Sequence, residues 1–497
     1  MAAIQQELTP EGYPLARYLS YMYNTFMQNI RASDAKSWIH CPRRAWFDHN
    51  PPLGYENIEP KEFDRLVITL RNRHEQTVKQ RLEKYHQVVD GVSEENTRTL
   101  MEAGTQIIYQ GHLCKDDIIG IPDFLIRHDS GAYQPADAKF ARSEEKKEIQ
   151  IQLGLYRKLL GTNLKAKVFL GTGEVTEIGD EADKEVDKFL TGMREVLARP
   201  TPPAVRYSES KCEACGYHDV CKGEFKAKGE LTLLHGIDSR AASGLEKQGI
   251  DSIRKLADAD PATIKDVPHL KGIEKRQRAM LQAKSYFDDS FHQLKPIVLP
   301  GGTWIHFDIE TNPLTESGEE HVYLWGFLKP PYDRGSFDYV WTDSEQQDQQ
   351  GWDAFLAKIE QYRAAYPHLV LAHFSPYEAK KIAAYAKRYE MRRHPAVAWL
   401  LGDDTPLFDL LEKVVKECLV LPLASYGLKY ICKHPKLVNF QWDDKDSGSQ
   451  WSVVQYVDYL MTLVPDDRER LKRNILTYNF DDVMATRKLE EWLRGLK

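Results

Sequence analysis

Acidic side chains occur in two separate sets whose types and spacing suit the binding of divalent metal ions. The first set lies in the first half of the chain and consists of Asp123, Asp137 and Lys139. The second set lies in the second half and consists of Asp308, Glu310, Tyr478 and Asp482. When carboxylates hold two cations, these ions can stabilise both the attacking and the leaving oxygen of an in-line phosphoryl displacement. Both sets therefore predict metal-assisted phosphodiester chemistry.

Two strand-like runs carry the first set, Gly120-Ile121-Pro122-Asp123-Phe124 and Pro135-Ala136-Asp137-Ala138-Lys139. Strand alternation places Asp137 and Lys139 on one face, next to Asp123 if the two runs pair. Two carboxylates can anchor a hard cation such as Mg²⁺ or Mn²⁺. The lysine ammonium can position the attacking hydroxide or stabilise the pentavalent phosphate.

Three further side chains are candidates for the same site. A helical period from Phe63 to Tyr85 places His74 on a buried face, where it could supply a nitrogen ligand that favours Mn²⁺ over Mg²⁺. The alternative for a lone histidine on an apolar helix face is a core residue. Gln152 and Tyr156 share a helical face just after the lysine and could hold substrate, although polar pairs at this spacing are also common on helix surfaces.

Four of the seven cysteines have a spacing that predicts metal or cluster ligation. The N-terminal residues do not have the order of a signal peptide, so we expect a cytoplasmic chain, in which cysteines argue against disulfides. Cys41 lies far upstream, while Cys212, Cys215 and Cys221 form a compact group downstream. Four thiolates can bind one 4Fe-4S iron–sulfur cluster or, as the alternative, one structural Zn²⁺. Such a group would connect the start of the domain to its end, so its loss should destabilise the fold.

These motifs occur in an order that resembles the RecB-like nucleases with an iron–sulfur clasp, among them the CRISPR-adaptation nucleases. The motifs are Cys41-Pro42-Arg43-Arg44, His74-Glu75, Pro122-Asp123, Asp137-Ala138-Lys139, Gln152 with Tyr156, and the three trailing cysteines. The resemblance implies a PD-(D/E)xK restriction-endonuclease-like domain over about residues 31–225. It also implies that His74, Asp123, Asp137 and the backbone carbonyl of Ala138 bind the metal and that Lys139 is catalytic. Asp137 replaces the more usual glutamate with a shorter side chain.

The second set combines a strand pair with a helix pair. The run from Trp304 to Glu310 alternates, so that Asp308 and Glu310 emerge on the same face of one strand. Tyr478 and Asp482 are four residues apart and lie one above the other on a helix. For the acid pair of the strand alone, a solvated strand edge is the alternative.

This pattern resembles the proofreading exonucleases of the RNase H-like superfamily, in which Asp-x-Glu is the first motif and Tyr-x-x-x-Asp the last. The segment from Leu423 to Lys429 resembles a part of the family B polymerase exonuclease domains. The middle motif is substituted, because His373 and Glu378 replace the usual asparagine and aspartate. The resemblance implies metal binding by Asp308, Glu310, Glu378 and Asp482, and orientation of the attacking water by Tyr478.

The length of the chain, its composition and the glycine- and proline-containing breaks between its segments predict an α/β multidomain protein. At 497 residues the chain exceeds what one hydrophobic core usually serves. We expect an N-terminal extension (1–30), the RecB-like PD-(D/E)xK nuclease domain (31–225), a helical domain (226–295) and an RNase H-like DEDD exonuclease domain (300–497). The helical part, with glycine turns at Gly236, Gly249 and Gly272, resembles tandem helix-hairpin-helix units, and a plain helical spacer is the alternative.

The charge balance does not itself indicate a nucleic-acid partner. The net charge is −7, whereas phosphate contacts normally come with a basic surplus. Local basic runs at Lys380–Lys381 and Lys387–Arg393 could supply such contacts, and a solvated helix face is the alternative. No apolar run is long enough for a membrane span, so we expect a cytoplasmic protein with no membrane partner.

The whole order of motifs resembles a bacterial and archaeal family of RecB-like nucleases with a C-terminal exonuclease domain. It leads to the expectation of a DNA nuclease that acts on single strands or ends in repair, CRISPR adaptation or phage defence. The chain has no Gly-x-x-x-x-Gly-Lys-Ser/Thr motif for an ATP motor, so a separate helicase partner is expected to unwind duplex. The alternatives are a nucleic-acid-binding scaffold with one or both sites inactive, and a nuclease directed at RNA.

Overall fold

The structure, a computed structural model, describes residues 29–56, 58–315, 317–443 and 449–496. The chain divides into two compact units, Met1–Val205 with Ala214–His218 and Arg206–Glu213 with Asp219–Lys497. The expected N-terminal extension lies outside the described residues except for its last two positions. Each unit combines helices with a β-sheet, which confirms the predicted α/β multidomain class. No described helix combines the length and the apolar character that crossing a membrane requires.

A six-stranded mixed sheet forms the centre of the first unit. The strands of this unit are β1 (Ile30–Arg31), β2 (Val88–Asp90), β3 (Ile107–Tyr109), β4 (Leu113–Lys115), β5 (Ile118–Gly120), β6 (Phe124–Arg127), β7 (Tyr133–Lys139), β8 (Ala166–Leu170) and β9 (Val175–Ile178). The main sheet has the order β2-β3-β6-β7-β8-β9, and β1-β5-β4 form a smaller sheet. Strands β6 and β7 are antiparallel, whereas β7 and β8 are parallel.

Helices cover this sheet and supply much of its core. They are α1 (Asp34–His40), α2 (Pro42–His49), α3 (Glu62–Glu83), α4 (Glu94–Glu102), α5 (Lys147–Leu160) and α6 (Asp183–Leu197). Helix α5 is the best buried, with Ile151, Leu153 and Leu155 fully inaccessible and packed in one cluster with Phe189 of α6. Because α5 follows β7 directly, its packing fixes the position of the polar residues that it presents beside that strand.

Helix α3 is less buried than its periodicity predicts. Only Leu66 and Val78 of this helix are fully buried, and His74 is half-buried. Tyr85 was expected on the same apolar face, but the helix ends at Glu83 and the Tyr85 side chain is 80% exposed. The apolar spacing therefore describes the middle of α3 and fails at its end.

The second unit contains a five-stranded sheet of order β13-β12-β11-β14-β15. Its strands are β11 (Thr303–Asn312), β12 (His321–Leu328), β13 (Phe337–Trp341), β14 (Leu369–His373) and β15 (Leu407–Asp409), while β10 (His292–Gln293) and β16 (Leu419–Val420) form a separate antiparallel pair. The central strand β11 is antiparallel to β12 and parallel to β14. The run from Trp304 to Glu310, whose alternation predicts a strand, lies within β11.

Helices of the second unit precede the sheet and cover it. They are α7 (Glu209–Cys212), α8 (His218–Lys228, whose first residue belongs to the first unit), α9 (Ser239–Glu246), α10 (Ile253–Asp258), α11 (Ile273–Asp288), α12 (Asp348–Ala365), α13 (Tyr377–Arg388), α14 (Pro395–Leu400), α15 (Lys416–Cys418), α16 (Leu428–Lys433), α17 (Ser449–Met461) and α18 (Pro465–Gly495). A π-helical turn, Leu411–Val415, leads into α15. Trp325 of β12 stacks on Phe355 of α12 with ring centroids 4.1 Å apart, in a core where both side chains are fully buried.

The helical segment Leu231–Asp288 packs against the sheet domain within the second unit. Gly236, Gly249 and Gly272 all have φ near +83°, a conformation that favours glycine, at turns of this segment. The Gln282 side chain of α11 donates to the backbone carbonyls of Leu421 (2.6 Å) and Leu423 (3.2 Å). These contacts group residues 226–295 with the sheet that follows them.

Candidate active sites

The first acidic set is assembled by the pairing of β6 with β7. Phe124 lies opposite Ala136 in the antiparallel register, so Asp123 and Asp137 meet at one end of the pair. The Asp123 backbone N–H donates to Asp137 Oδ1 (2.9 Å), and the Ala138 N–H donates to Asp123 Oδ2 (2.8 Å). Each carboxylate is therefore oriented by the backbone next to the other, and the expected juxtaposition of Asp123 with Asp137 is present.

Lys139 lies beside these carboxylates and is held by a chain of hydrogen bonds. Its Nζ atom is 2.7 Å from Asp137 Oδ2 and donates to Gln152 Oε1 at 2.9 Å. The Gln152 amide donates to the Tyr156 hydroxyl (2.8 Å), which donates to the Ile121 carbonyl (3.1 Å). Gln152 and Tyr156, predicted to contact substrate, thus position the lysine in this structure.

Burial and the proximity of two carboxylates shift the pKa values of the ionisable groups at this site. Burial, and next the Asp137 carboxylate, raise the pKa of Asp123 well above its usual range. Burial alone would lower the pKa of Lys139, but the two carboxylates outweigh it and leave the pKa above its ordinary value. A divalent cation placed between the aspartates would relieve the repulsion that raises the pKa of Asp123.

Among the described residues, His74 and the two aspartates do not form a set whose ligand atoms all lie within 4.8 Å of one another. Its Nε2 atom is 2.9 Å from the Phe169 carbonyl oxygen. Among the described residues, the only set of three or more potential ligands with all ligand atoms within 4.8 Å of one another lies in the second unit. His74 as a metal ligand therefore stays a prediction.

Glu75, the next residue on α3, acts electrostatically on Asp123, which the sequence did not indicate. Its carboxylate accepts hydrogen bonds from the Tyr109 hydroxyl (2.6 Å) and from the Gln110 amide (3.0 Å), and its charge adds to the rise in the pKa of Asp123. The motif His74-Glu75 contained this residue, but the helical period assigned importance only to its neighbour.

The four predicted ligand cysteines are divided between the two units. Cys41, at the N-terminus of α2, and Cys215 belong to the first unit, where burial raises the pKa of the Cys215 thiol. Cys212, the last residue of α7, and Cys221 of α8 belong to the second unit. None of the four is in a disulfide bond, and a shared four-thiolate site stays a prediction.

The second acidic set forms a compact carboxylate cluster. Asp308 and Glu310 project from β11, and Asp482 projects from α18, which packs on that strand. One ligand oxygen of each carboxylate lies within 4.8 Å of the others. This is the arrangement that strand alternation and helical spacing predict separately, and tertiary packing joins the two halves.

Neighbouring donors orient two of these carboxylates. The Trp442 indole donates to Asp482 Oδ1 (2.7 Å), and the Ser452 hydroxyl donates to Glu310 Oε2 (2.6 Å). Nothing in the sequence pattern singled out Trp442 or Ser452, because they lie far from the acidic motifs along the chain.

Asn479 connects the strand acids to α18. Its Nδ2 atom donates to Asp308 Oδ2 (2.7 Å) and more weakly to Glu310 Oε1 (3.4 Å). The amide fits there because residue 326 of the neighbouring strand is glycine, where a Cβ atom would lie 1.7 Å from Asn479 Oδ1. The position of the Asn479 amide thus depends on glycine at residue 326, and the Tyr-x-x-x-Asp motif specifies neither of these two residues.

The cluster favours protonation or a bound cation. Burial, followed by the charges of Asp482 and Glu310, raises the pKa of Asp308 well above its usual range. Burial first and Asp482 second raise the pKa of Glu310 to about 8, and burial raises that of Asp482 to about 6. Three hydrogen-bonded carboxylates that resist losing their protons together are a suitable donor set for hard divalent metals.

Tyr478 and Lys429 stand beside Asp482. Tyr478 is buried and hydrogen-bonded to Asp482, and burial is the main cause that raises its pKa. The Lys429 ammonium lies 4.5 Å from the Tyr478 ring centroid and 5.4 Å from that of Trp442. Burial lowers the pKa of Lys429, while the charge of Asp482 opposes this effect. The resemblance of the segment Leu423–Lys429 to a part of the family B polymerase exonuclease domains does not by itself indicate a role for this cation.

Glu378 takes a different position from the other three acids. It lies in the first turn of α13, and its Oε2 atom is 3.3 Å from His373 Nδ1 and 3.4 Å from the Ser375 hydroxyl. Burial raises its pKa, and its charge contributes to the raised pKa of Asp308. Asp409, at the end of β15, adds negative charge beside it and accepts from the Ser375 N–H (3.2 Å). Glu378 is thus near the cluster without belonging to its compact part.

The comparisons with known proteins agree with this division of sites. Residues 32–222 match the model of the PD-(D/E)XK nuclease superfamily, and residues 305–494 match that of the RNase_H superfamily. Among curated proteins, none matches the chain. The first match contains Asp123, Asp137 and Lys139, and the second contains the carboxylate cluster. The chain therefore joins a domain of the PD-(D/E)XK nuclease superfamily to a C-terminal domain of the RNase H superfamily.

Proposed function

We propose that the protein is a metal-dependent DNA nuclease with two active sites, which acts on single strands or on DNA ends. The observation that carries this proposal is the carboxylate cluster of Asp308, Glu310 and Asp482, whose ligand atoms lie within 4.8 Å of one another inside a nuclease-superfamily domain. A second pair of aspartates with an adjacent lysine, in a different nuclease-superfamily domain, supports it.

Mg²⁺ or Mn²⁺ fits both sets of donors. The raised pKa values of Asp123, Asp308 and Glu310 arise from burial together with neighbouring carboxylates, and a divalent cation offsets such repulsion. The acids supply hard oxygen ligands, and a bound ion would provide Lewis acidity for phosphodiester hydrolysis.

At the first site, side chains of this protein would bind the metal ion and stabilise the negative charge of the phosphoryl group. Asp123 and Asp137 would hold the ion, and their backbone hydrogen bonds keep them in place. Lys139 is restrained by Gln152 and Tyr156, so its ammonium can meet a negatively charged phosphoryl oxygen without reorganising. We infer cleavage that leaves 5′-phosphates.

At the second site, Asp308, Glu310 and Asp482 would hold metal ions and Tyr478 would orient the attacking water. The hydroxyl of Tyr478 is anchored on Asp482, and its raised pKa keeps it a neutral hydrogen-bond donor. Glu378, with its longer side chain, would complete the donor set from α13. We infer removal of nucleotides in the 3′→5′ direction.

We also infer that Cys41, Cys212, Cys215 and Cys221 bind a 4Fe-4S cluster, with Zn²⁺ as the alternative. Four cysteines near the two ends of the matched PD-(D/E)XK region, none of them in a disulfide bond, support this inference. Absorbance of anaerobically purified protein distinguishes the two groups. A broad visible band is expected for the cluster, whereas a colourless protein that contains zinc would favour the alternative.

The decisive experiment uses end-labelled single strands and duplexes with the full chain. We expect Asp137→Asn to remove one cleavage pattern and Asp308→Asn to remove another, because the two sites are separate. Matched RNA strands test the alternative of an RNA-directed enzyme. An unchanged digestion pattern in the double variant, with Mg²⁺ or Mn²⁺ present, would contradict the proposal.

The substituted middle motif, with His373 and Glu378, favours one alternative to catalysis by the second domain. The Glu378 carboxylate is engaged by His373 and Ser375, as in a site that has lost turnover and only holds nucleic acid. Such a scaffold would bind DNA equally well in chelator and would never shorten it. We infer further that the protein acts in the cytoplasm in repair, CRISPR adaptation or phage defence, with a separate helicase to unwind duplex.

A further inference from the structure

A cavity of about 680 Å³ lies between the helical segment and the sheet domain of the second unit. One wall consists of the turn at Gly236 and the exposed side of α11, and the other consists of Leu294–Lys295 and Lys416–Glu417. None of its lining residues belongs to either carboxylate site. It is therefore a separate feature that the proposed chemistry leaves unused.

Cationic side chains face this cavity from both walls. Lys275 and Arg278 come from α11, while Lys295 and Lys416 come from the opposite wall. Lys416 is paired with Glu412 at 2.6 Å, and Lys295 is 3.9 Å from Glu417. For Lys275, the described part of the chain offers no ion-pair partner.

The guanidinium and the ring system at the cavity are fixed in place. Arg278 donates to the Leu419 carbonyl (2.6 Å), which holds its planar group at the wall. The His235 ring stacks on Tyr426 with centroids 3.9 Å apart, and burial lowers the pKa of His235 to about 4. The His235 ring is therefore neutral at physiological pH. The charge of the cleft comes mainly from its lysines and Arg278, opposed by Glu274 and Glu417 of the lining and by Glu412, which pairs with Lys416.

We propose that this cleft binds the phosphodiester backbone of a nucleic-acid strand, through Lys275, Arg278, Lys295 and Lys416. The proposal rests on the proposed nuclease function. A preorganised guanidinium with several ammonium groups matches the charge and the donor geometry that phosphates require. On a chain of net charge −7, such a local surplus of cations marks a site for an anion.

The cleft is coupled to the second carboxylate site through one segment. Gln282, on the same helix as Lys275, holds the carbonyls of Leu421 and Leu423, and its Oε1 atom accepts from the Tyr426 hydroxyl at 2.7 Å. That segment continues into α16, which carries Lys429 above Tyr478. A strand held in the cleft would thus be held by the same rigid part that completes the cutting site.

An adjoining cavity of about 490 Å³ defines one end of the proposed contact. It shares His235, Gly236, Ile237 and His269 with the cleft but is lined by the acids Glu209 and Asp238. Its lining residues include no lysine or arginine, whereas four cations outnumber the two acids that line the first cavity, so we place the backbone contacts in the first cavity.

The test measures binding of a fluorescently labelled DNA strand to the full chain in chelator, where no cleavage occurs. Lys275→Glu is compared with Lys284→Glu, since both lysines are exposed on α11 but only Lys275 lines the cleft. We expect Lys284→Glu to bind like the wild type and Lys275→Glu to bind about tenfold more weakly. The milder Lys275→Gln should lower the salt slope of the binding constant by about 0.7, the value for one lost phosphate contact on a single strand.

Equal affinities of Lys275→Glu and Lys284→Glu would overturn the cleft assignment, while metal-dependent cutting by the wild type would leave the proposed function intact. Conversely, failure of the wild type to cut in Mg²⁺ or Mn²⁺ overturns the nuclease function and is read separately from binding. Unlabelled RNA that competes as well as DNA supports recognition of the shared backbone. Displacement of the strand by inorganic pyrophosphate at equal phosphate concentration would instead show a site for small anions and overturn the strand assignment.

Discussion

His306 of β11 and Glu490 of α18 form a fully buried pair, with Nε2 and Oε2 2.9 Å apart. His306 precedes Asp308 by two residues on the same strand face, and Glu490 follows Asp482 by eight residues, or about two helical turns. The pair therefore fixes the position of α18 along β11 and, with it, the approach of Asp482 to the strand acids. Arg487 and Arg494 bind the same carboxylate from the outer side.

Removal of Glu490 should destabilise the second unit. Glu490→Ala leaves the buried His306 and Arg494 without this acceptor and leaves Arg487 with Glu491 alone among the described residues. Loss of one partner of such a network costs about 3 kcal/mol. Glu491→Ala is the matched control, since Glu491 is exposed and its ion pairs with Arg487 and Lys488 are worth less than about 1 kcal/mol. Chemical denaturation of both variants measures the difference, and equal losses would refute a special role of the pair.

Gly326→Ala should impair the second site while leaving the fold in place. The new Cβ atom would lie 1.7 Å from Asn479 Oδ1, so the amide that orients Asp308 must move. A displacement of about 1 Å at a catalytic group can cost about a hundredfold in rate, and we expect a loss of that order in 3′→5′ trimming.

Gly335→Ala serves as its control, because a Cβ there meets only Asp333 Oδ1 at 3.4 Å. Cutting at the first site provides an internal reference in the same protein. Wild-type trimming by Gly326→Ala would contradict the positioning of Asp308 by Asn479.

Metal affinity at the second site should rise with pH. The pKa of Asp482 is raised to about 6 and that of Glu310 to about 8, so protons compete with the metal below these values. Binding of Mg²⁺ or Mn²⁺ should therefore strengthen from pH 6 to pH 8 and release protons, which calorimetry in buffers of different ionisation enthalpy detects.

The metal-free protein should show the opposite trend in stability. An acid whose pKa is higher in the folded than in the unfolded state stabilises the fold while it is protonated, and this contribution is lost as pH rises toward the folded value of about 8 for Glu310. Thermal unfolding in chelator should thus fall from pH 6 to pH 8. Glu310→Gln should reduce this dependence, and an unaltered slope would contradict the assignment.

Tyr156→Phe should lower cutting at the first site by loosening Lys139. The variant removes the hydroxyl that accepts a hydrogen bond from the Gln152 amide, and the Gln152 side-chain oxygen in turn accepts one from Lys139. We expect about a tenfold loss of rate, in the lower range for a positioning contact. Tyr133→Phe removes a comparable buried hydroxyl that donates to the Thr105 carbonyl outside the site. Both variants should lose about 1 kcal/mol of stability, and only Tyr156→Phe should lose activity.

Local sequence patterns predicted those parts of the sites that lie close together along the chain. Strand alternation placed Asp308 beside Glu310, and helical spacing placed Tyr478 beside Asp482. Asn479 and Trp442 were not predicted, because their contacts depend on how α18 and a distant loop pack on β11. For His74, a sequence motif gives no direction for the ring, whose Nε2 atom lies 2.9 Å from the carbonyl oxygen of Phe169, and its role as a metal ligand stays a prediction.

The side chain of Gln282 has a consequence for how this protein can be divided or recombined. A fragment that begins at β11 would expose the carbonyls of Leu421 and Leu423 and the hydroxyl of Tyr426 to whatever replaced α11. Three polar groups would then need new partners at the position where the chain turns toward Lys429. Gene fusions that keep the five-stranded sheet should therefore inherit the preceding helices with it. A crossover upstream of α9 should yield a more stable and more soluble domain than one at residue 300.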